Sequence, residues 1–241
     1  MTAALLSITA RALLNRRRTL LLALLGVLLV VATVVYRIGN PAGTESLEVT
    51  RRLLADFGLG VLLPLVAVIV GTAAIGSELD DGTIVYLLAK PVPRWRIIVV
   101  KLAVAWLVVV LLVVPAMLVA GLIGHDDPGL ALAYAVSATA GALEYTALFM
   151  ALSLITSRAL IIGLAYVMVW EGVVAGLFAG TRVLSVRQHA LAVAEAVGGE
   201  MAVRAELAVG IAVGVAIAVT LLAVWLAIRR LERVELRGET A

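Results

Sequence analysis

The sequence predicts an all-α, polytopic membrane protein with six transmembrane helices. Of its 241 residues, 63% are hydrophobic, and the mean hydropathy is +1.15, whereas a globular domain has roughly 45–50% apolar residues. Four long stretches contain no charged residue, and two more contain a single glutamate. Each reaches the roughly 18 residues that a transmembrane helix needs. Little sequence is left for a sizeable soluble domain, so we expect one transmembrane domain over residues 1–241.

The positions of the charged residues define the spans. The uncharged stretches are 19–36, 57–77, 102–124 and 207–228, while Glu144 interrupts 128–157 and Glu171 interrupts 159–181. Allowing for helix ends, we expect spans at about 19–37, 57–77, 98–124, 129–156, 159–181 and 207–229, lengths that suit a bilayer.

Residues 1–18 are predicted to form an interfacial helix in front of the first span. Its apolar residues are Leu5, Leu6, Leu13 and Leu14, and its basic residues are Arg11 and Arg16 to Arg18. Such a segment can lie in the membrane interface with its arginines near anionic headgroups. A plain basic flank on the first span is the alternative. We do not expect a cleaved signal peptide, because no Ala-x-Ala site follows the long apolar run.

The basic residues predict the orientation. If both termini are cytoplasmic, thirteen of the 19 lysines and arginines lie on the inner side and six on the outer side, as the positive-inside rule requires. The net charge of +3 is then a topology signal, so we expect no nucleic-acid partner. We also expect a short outer helix near 48–54, an outer loop 182–206 with a helix over 188–197 that ends at Gly198-Gly199, and a cytoplasmic tail 230–241.

The inner loop at 78–97 has the most distinctive pattern in the chain. Asp81 and Thr83 can cap a helix that begins near Ile84, and Pro91 forbids its continuation. Ile84, Leu87 and Leu88 form one apolar stripe. A helix of about two turns is not stable alone, so the stripe needs a surface. It either folds back onto its own helices or the lipid, or docks in a groove of a separate cytoplasmic protein.

The residues of this loop resemble the signature of ABC-2-type permeases, the six-span membrane subunits of ABC exporters. The similarity rests on Glu78, Gly82-Thr83, Leu87-Leu88, Pro91, Arg94 and Lys101, and on the six-span plan as a whole. Trp170-Glu171-Gly172 and Ser185-Val186-Arg187-Gln188 are similar to a bacterial subgroup of these permeases. The resemblance implies that the loop is a coupling helix that docks on a separate ATPase. The residues assigned to that role are Glu78, Asp81, Gly82, Thr83, Ile84, Leu87, Leu88, Pro91, Arg94 and Lys101.

The resemblance also implies partners and a location. We expect two copies of an ABC ATPase that carry ATP and Mg²⁺, because this chain has no Gly-x-x-x-x-Gly-Lys-Ser/Thr loop. A second permease subunit, identical or a sister chain, would complete a multi-pass complex in a bacterial cytoplasmic membrane. It would export an amphipathic or hydrophobic substrate from the cytoplasm or inner leaflet. An ion-coupled secondary carrier and an intramembrane enzyme are the alternatives, although no constellation of catalytic or metal-binding residues occurs within the spans.

Glu144 and Glu171 are the two acidic residues inside predicted spans. A charge at the bilayer centre costs on the order of 3 kcal/mol, so each must be paired, protonated or in contact with water. A structural role would pair Glu171 with Arg182 or Arg187, and Glu144 with Tyr166 or Ser137. A functional role would place Glu144, Glu171 and Tyr166 along a translocation path, where they could select cationic amphiphiles. We expect both histidines, His125 and His189, to be solvated in outer loops.

Overall fold

The computed structural model of the protein describes residues 16–40, 46–80 and 93–238. Within these residues, six helices are long and apolar enough to cross a membrane, and the rest is short helix and turn. The prediction of an all-α protein with six spans is therefore confirmed. Most of the predicted interfacial helix, at residues 1–15, and the predicted coupling helix, within 81–92, lie outside the described residues.

Seven helices, which we number α1 to α7, form the described part of the chain. Helix α2 begins at Ser46 and consists of three consecutive segments, Ser46–Arg52, the π-helical Leu53–Leu62, and Leu63–Asp80. The others are α1 at Arg16–Gly39, α3 at Arg94–Gly124, α4 at Pro128–Ile155, α5 at Ala159–Leu177, α6 at Val186–Gly198 and α7 at Val209–Gly238. The short outer helix expected near 48–54 is the beginning of α2.

The six long helices alternate in direction, so the bundle has two ends. One end, which we call the Asp80 end, carries the last residue of α2 and the first residue of α3. The opposite end, the Pro128 end, carries the tight connection from α3 to α4. There Asp127 is the N-cap of α4, and its carboxylate accepts a hydrogen bond of 2.8 Å from Gly129 N. Such a cap satisfies one of the unpaired N–H groups of the first turn.

Helix α4 lies at the centre of the bundle. It packs against α2, α3, α6 and α7, and 67% of its most apolar window is buried, compared with 22% for α1 and α5 and 17% for α7. The centre is built from large side chains with no exposure, among them Tyr134 and Tyr145. The outer faces of α1, α5 and α7 consequently expose large apolar side chains, among them Leu24, Ile161 and Leu221.

Helix α6 is too short to cross a bilayer. Its 13 residues span about 20 Å at 1.5 Å per residue, and a span needs about 20 residues. Gly198 packs against Ala133 near the Pro128 end, whereas His189 contacts Glu144, which lies 16 residues, or about 24 Å, along α4 from Pro128. Helix α6 is therefore re-entrant: the chain begins it deep in the bundle and returns to the Pro128 end.

Local backbone features set both ends of α6. After α5 the chain turns at Phe178, whose dihedral angles are extended, and makes a 3₁₀ segment at Ala179–Leu184 before α6 begins. At the other end, Gly199 has φ +65°, a conformation that glycine adopts at little cost. A helix was expected over 188–197 with a glycine break after it, and the structure has that helix. Its depth was not expected.

Candidate functional site

Lys101 and Glu78, two of the residues assigned to the coupling loop, meet at the Asp80 end. The side chain of Lys101 is 2% exposed, and its Nζ donates hydrogen bonds of 2.6 Å to Glu78 Oε1 and 2.9 Å to Ala74 O. The pair joins the last turns of α2 to the first turns of α3. This contact therefore fixes the two ends from which the 81–92 segment leaves the bundle.

Of the other residues assigned to the coupling loop, the structure describes Arg94 alone. Arg94 is the first residue of α3, which follows the extended Pro93. Asp81, Gly82, Thr83, Ile84, Leu87, Leu88 and Pro91 lie outside the described residues. Their role as a docking helix stays a prediction.

Glu171 holds the beginning of α6. It lies in the π-helical part of α5, at Tyr166–Val174, and is 5% exposed. Its carboxylate accepts hydrogen bonds from Tyr166 OH at 3.0 Å, Ser185 Oγ at 2.5 Å and Val186 N at 2.9 Å. Ser185 is also the N-cap of α6, because its hydroxyl accepts from Gln188 N at 3.2 Å. A carboxylate at the first N–H groups of a helix suits the positive end of the helix dipole.

Glu144 holds α6 one turn further along. His189 Nδ1 lies 3.0 Å from Glu144 Oε1 and 3.1 Å from Oε2, and both side chains are 3% exposed. His189 Nε2 lies 2.8 Å from Val183 O. A carbonyl oxygen only accepts, so Nε2 must carry a hydrogen and donate it. One further proton then lies between Nδ1 and the carboxylate, and the pair as a whole is neutral.

These contacts correct the expected partners of the buried carboxylates. Arg182 forms an ion pair with Glu206, and Arg187 forms one with Asp56 at 2.5 Å, so neither reaches Glu171. Tyr166 donates to Glu171 and not to Glu144. Ser137 donates to Tyr134 O in its own helix, at 3.1 Å. Both arginines lie close to Glu171 in the sequence, but their guanidinium groups pair with these other carboxylates.

The prediction that His189 is solvated was wrong, since it is 3% exposed and pairs with Glu144. The prediction failed because the polar residues around His189 resemble those of an outer loop, and only the re-entrant path of α6 brings the imidazole to α4. His125 also has a partner, because its Nδ1 lies 3.1 Å from Ser46 Oγ. Among the described residues, no group of three or more histidines and acids lies close enough to hold a metal ion.

An aromatic cluster that the sequence did not predict lies beside the two carboxylates. The rings of Tyr145 and Phe149 are stacked with centroids 5.8 Å apart, and Tyr166 meets Phe149 edge-on at 6.1 Å. The cluster packs α4 against α5 and fixes Tyr166, whose hydroxyl then reaches Glu171. Spacing along α4 places Tyr145 and Phe149 on one face, but it does not reveal which neighbouring helix they meet.

A cavity of about 330 Å³ lies between α4, α6 and α7, next to the Glu144–His189 pair. Both members of the pair line it, together with Thr220 and apolar residues that include Leu143, Val193 and Ile217. This volume falls in the range of small-molecule sites, which are mostly apolar with a few polar groups.

Comparison with known proteins identifies the family. The sequence model of a family described as ABC-2 family transporter protein matches residues 14–188, well over half of the 241 residues. The chain belongs to the ABC-2 family. The search of curated proteins found no match. An ABC-2 protein is a membrane permease of ABC transporters, a transport subunit that associates with an ABC ATPase.

In this ABC-2 protein, the family match includes the 81–92 segment and both buried carboxylates. It ends at Gln188, the residue before His189. Most of α6 and all of α7 therefore lie beyond the matched part, and so does one wall of the cavity.

Proposed function

We propose that this ABC-2 protein is the membrane-spanning subunit of an ATP-driven exporter. It moves an amphipathic or hydrophobic substrate out of the cytoplasm or inner leaflet, and a separate ATPase supplies the work. The observation that carries the proposal is the family match over residues 14–188, because it covers α1 to α5 together with the segment between α2 and α3. Six long apolar helices can form the transmembrane bundle through which a substrate would pass.

The 81–92 segment is the proposed point of contact with the ATPase. Its sequence pattern predicts a short helix with Ile84, Leu87 and Leu88 on one side. The ion pair between the buried Lys101 and Glu78 supports this role, since it joins the two helix ends that carry the segment. A movement of the ATPase against the segment would then displace α2 and α3 together. Such a contact needs an anchored base because a two-turn helix has little stability of its own.

The proposed orientation places the Asp80 end and both termini in the cytoplasm of a bacterial cell. Arg229, Arg230 and Arg233 lie near that end of α7, where Arg229 stacks over Trp225 at 5.5 Å. Tryptophan and arginine at a helix end are typical of the membrane–water interface, and an excess of basic residues marks the cytoplasmic side. The ATP and Mg²⁺ would be bound by the partner ATPase.

We propose an assembly of two permease subunits and two ATPase subunits. The second permease subunit is either another copy of this chain or a sister chain. The low buried share of α1, α5 and α7 supports this assembly, since their apolar outer faces are available to membrane lipid and to a second permease subunit.

The test compares two substitutions that add the same charge to the 81–92 segment. The tagged chain is purified from its native membrane with the ATPase that accompanies it. Leu87→Asp places a carboxylate in the predicted apolar stripe, whereas Ala89→Asp places it on the other side of the predicted helix. We expect Leu87→Asp to abolish co-purification of the ATPase and ATP-dependent transport, while Ala89→Asp retains both. Equal retention by both variants would refute the docking role, and transport by a chain that recruits no ATPase would favour a secondary carrier.

A further inference from the structure

The cavity beside Glu144 and His189 has an opening toward the membrane. Its wall on α7 includes Ile217 and Leu221, whose side chains are 55% and 64% exposed. These residues lie near the middle of a helix that spans the bilayer, so their exposed sides contact lipid tails. An apolar molecule in the membrane can therefore reach the cavity sideways, past α7.

The polar end of the cavity offers hydrogen-bond acceptors to what enters. A carboxylate has about four lone-pair sites, and the described residues supply Glu144 with one donor, His189 Nδ1. The other hydrogen of the imidazole is used by Val183 O. A ligand that donates hydrogen bonds matches the remaining sites of Glu144, whereas a ligand that only accepts does not.

The charges around the cavity favour a cation. Apart from His189, none of the described residues that line it is basic. The arginines on the segment that carries His189 are engaged elsewhere, Arg182 with Glu206 and Arg187 with Asp56. Glu171 adds a second acidic group on the neighbouring α5. An ammonium group can take the place of the proton shared by His189 Nδ1 and Glu144, and it would then form a charge-assisted bond to the ionised carboxylate in an apolar surrounding, where such bonds are strongest.

From this geometry we propose that the cavity between α4, α6 and α7 binds a cationic amphiphile, with the ammonium group on Glu144 and the apolar body along α7. The inference rests on the proposed export function and names the substrate class for it. The acceptor-rich carboxylate fixes the head of the molecule, the walls formed by Leu143, Val193 and Ile217 take its chain, and the lateral opening admits it from the lipid.

The test measures binding of dodecylamine to the full chain in phosphatidylcholine nanodiscs, with no ATPase or ATP present. Nanodiscs without protein give the background from partition into lipid. Dodecanol is the neutral probe of equal chain length, and dodecanoate is the anionic one. We expect saturable binding of dodecylamine, with affinity about tenfold or more above that for dodecanol because the alcohol cannot form an ion pair, and no saturable binding of dodecanoate.

Two comparisons between variants locate the site. Glu144→Gln keeps the shape of the side chain, and its amide can donate to His189 Nδ1, so α6 should stay docked while dodecylamine affinity falls about tenfold or more. Ala216→Leu fills the cavity from α7 and should also abolish binding, whereas Ala218→Leu adds the same volume to an exposed position of α7 that does not line the cavity. The Ala216/Ala218 comparison keeps the test decisive if Glu144→Gln does not fold.

Equal affinities for dodecylamine and dodecanol would overturn the proposal, and so would wild-type binding in Ala216→Leu. A permease without this site still requires its ATPase, so that result would leave the Leu87→Asp experiment unaffected. Conversely, a failed Leu87→Asp experiment with intact dodecylamine binding would refute the coupling role and not the site.

Discussion

Replacing Glu171 tests whether one buried carboxylate holds the re-entrant helix in place. Glu171→Ala removes the acceptor of three hydrogen bonds, from Tyr166 OH, Ser185 Oγ and Val186 N. At about 1.5 kcal/mol for each bond to a charged group, the loss is about 4–5 kcal/mol. Glu171→Gln keeps the shape and one acceptor oxygen, which can still accept from Tyr166 OH and Val186 N, while its NH2 group can donate to Ser185 Oγ. The loss of the charge should cost about 1–2 kcal/mol.

Hydrogen exchange of the α6 amides measures this loss directly, because local opening exposes them without unfolding the bundle. With the full chain in nanodiscs, we expect protection of residues 186–198 to fall about a thousandfold in Glu171→Ala and about tenfold in Glu171→Gln, since each 1.4 kcal/mol corresponds to a factor of ten. Amides in the centre of α4 should keep their protection.

The matched control is Glu200→Ala, which removes the same type of side chain just beyond α6. Glu200 is 72% exposed and pairs with Arg204, so this change should cost less than about 1 kcal/mol. If Glu171→Ala left the protection of residues 186–198 equal to that in Glu200→Ala, the carboxylate would not be the anchor of α6, and the argument from its three donors would fail.

Two further substitutions test the packing of the bundle. Lys101→Met should lower the free energy of unfolding by about 3 kcal/mol, because it removes the two charge-assisted hydrogen bonds that Lys101 Nζ donates to Glu78 Oε1 and Ala74 O. Val99→Met on the exposed side of α3 should change it little, and equal thermal stabilities in detergent would contradict this. Gly121→Ala would place a Cβ 2.8 Å from the Cα of Ala131 and should cost about 1–3 kcal/mol. The control is Gly176→Ala, which should cause no loss in the same thermal assay because nothing lies within 4 Å of the Cβ position of Gly176.

The spans could be predicted because hydropathy is a local property that adds along the chain. The uncharged stretch at 102–124, for example, is apolar whatever it packs against, and a helix satisfies its own backbone in lipid. The helix over 188–197 was also predictable from its alanines and the Gly198-Gly199 break.

The partners of the buried groups could not be predicted in the same way. Glu144 and His189 are 45 residues apart in the sequence, and nothing local distinguishes a histidine in a solvated loop from one that is folded back into the bundle. The arginines near Glu171 are plausible partners by spacing alone, but the turn at Phe178 separates them from it. The resemblance of Trp170-Glu171-Gly172 and Ser185-Val186-Arg187-Gln188 to known permeases was the one available signal, since the structure joins these two stretches through Glu171 and Ser185.

The amino-acid sequence by itself determined that this chain is a six-span helical membrane protein. The free energy of placing charges and unpaired backbone groups in lipid depends on each residue itself and not on its neighbours in the fold. The tertiary structure alone decided that α6 is re-entrant, that Glu171 and Glu144 hold it, and that a cavity lies beside the second of these. Those features depend on which helices become neighbours, and a buried polar group takes whatever partner that packing brings within hydrogen-bond distance.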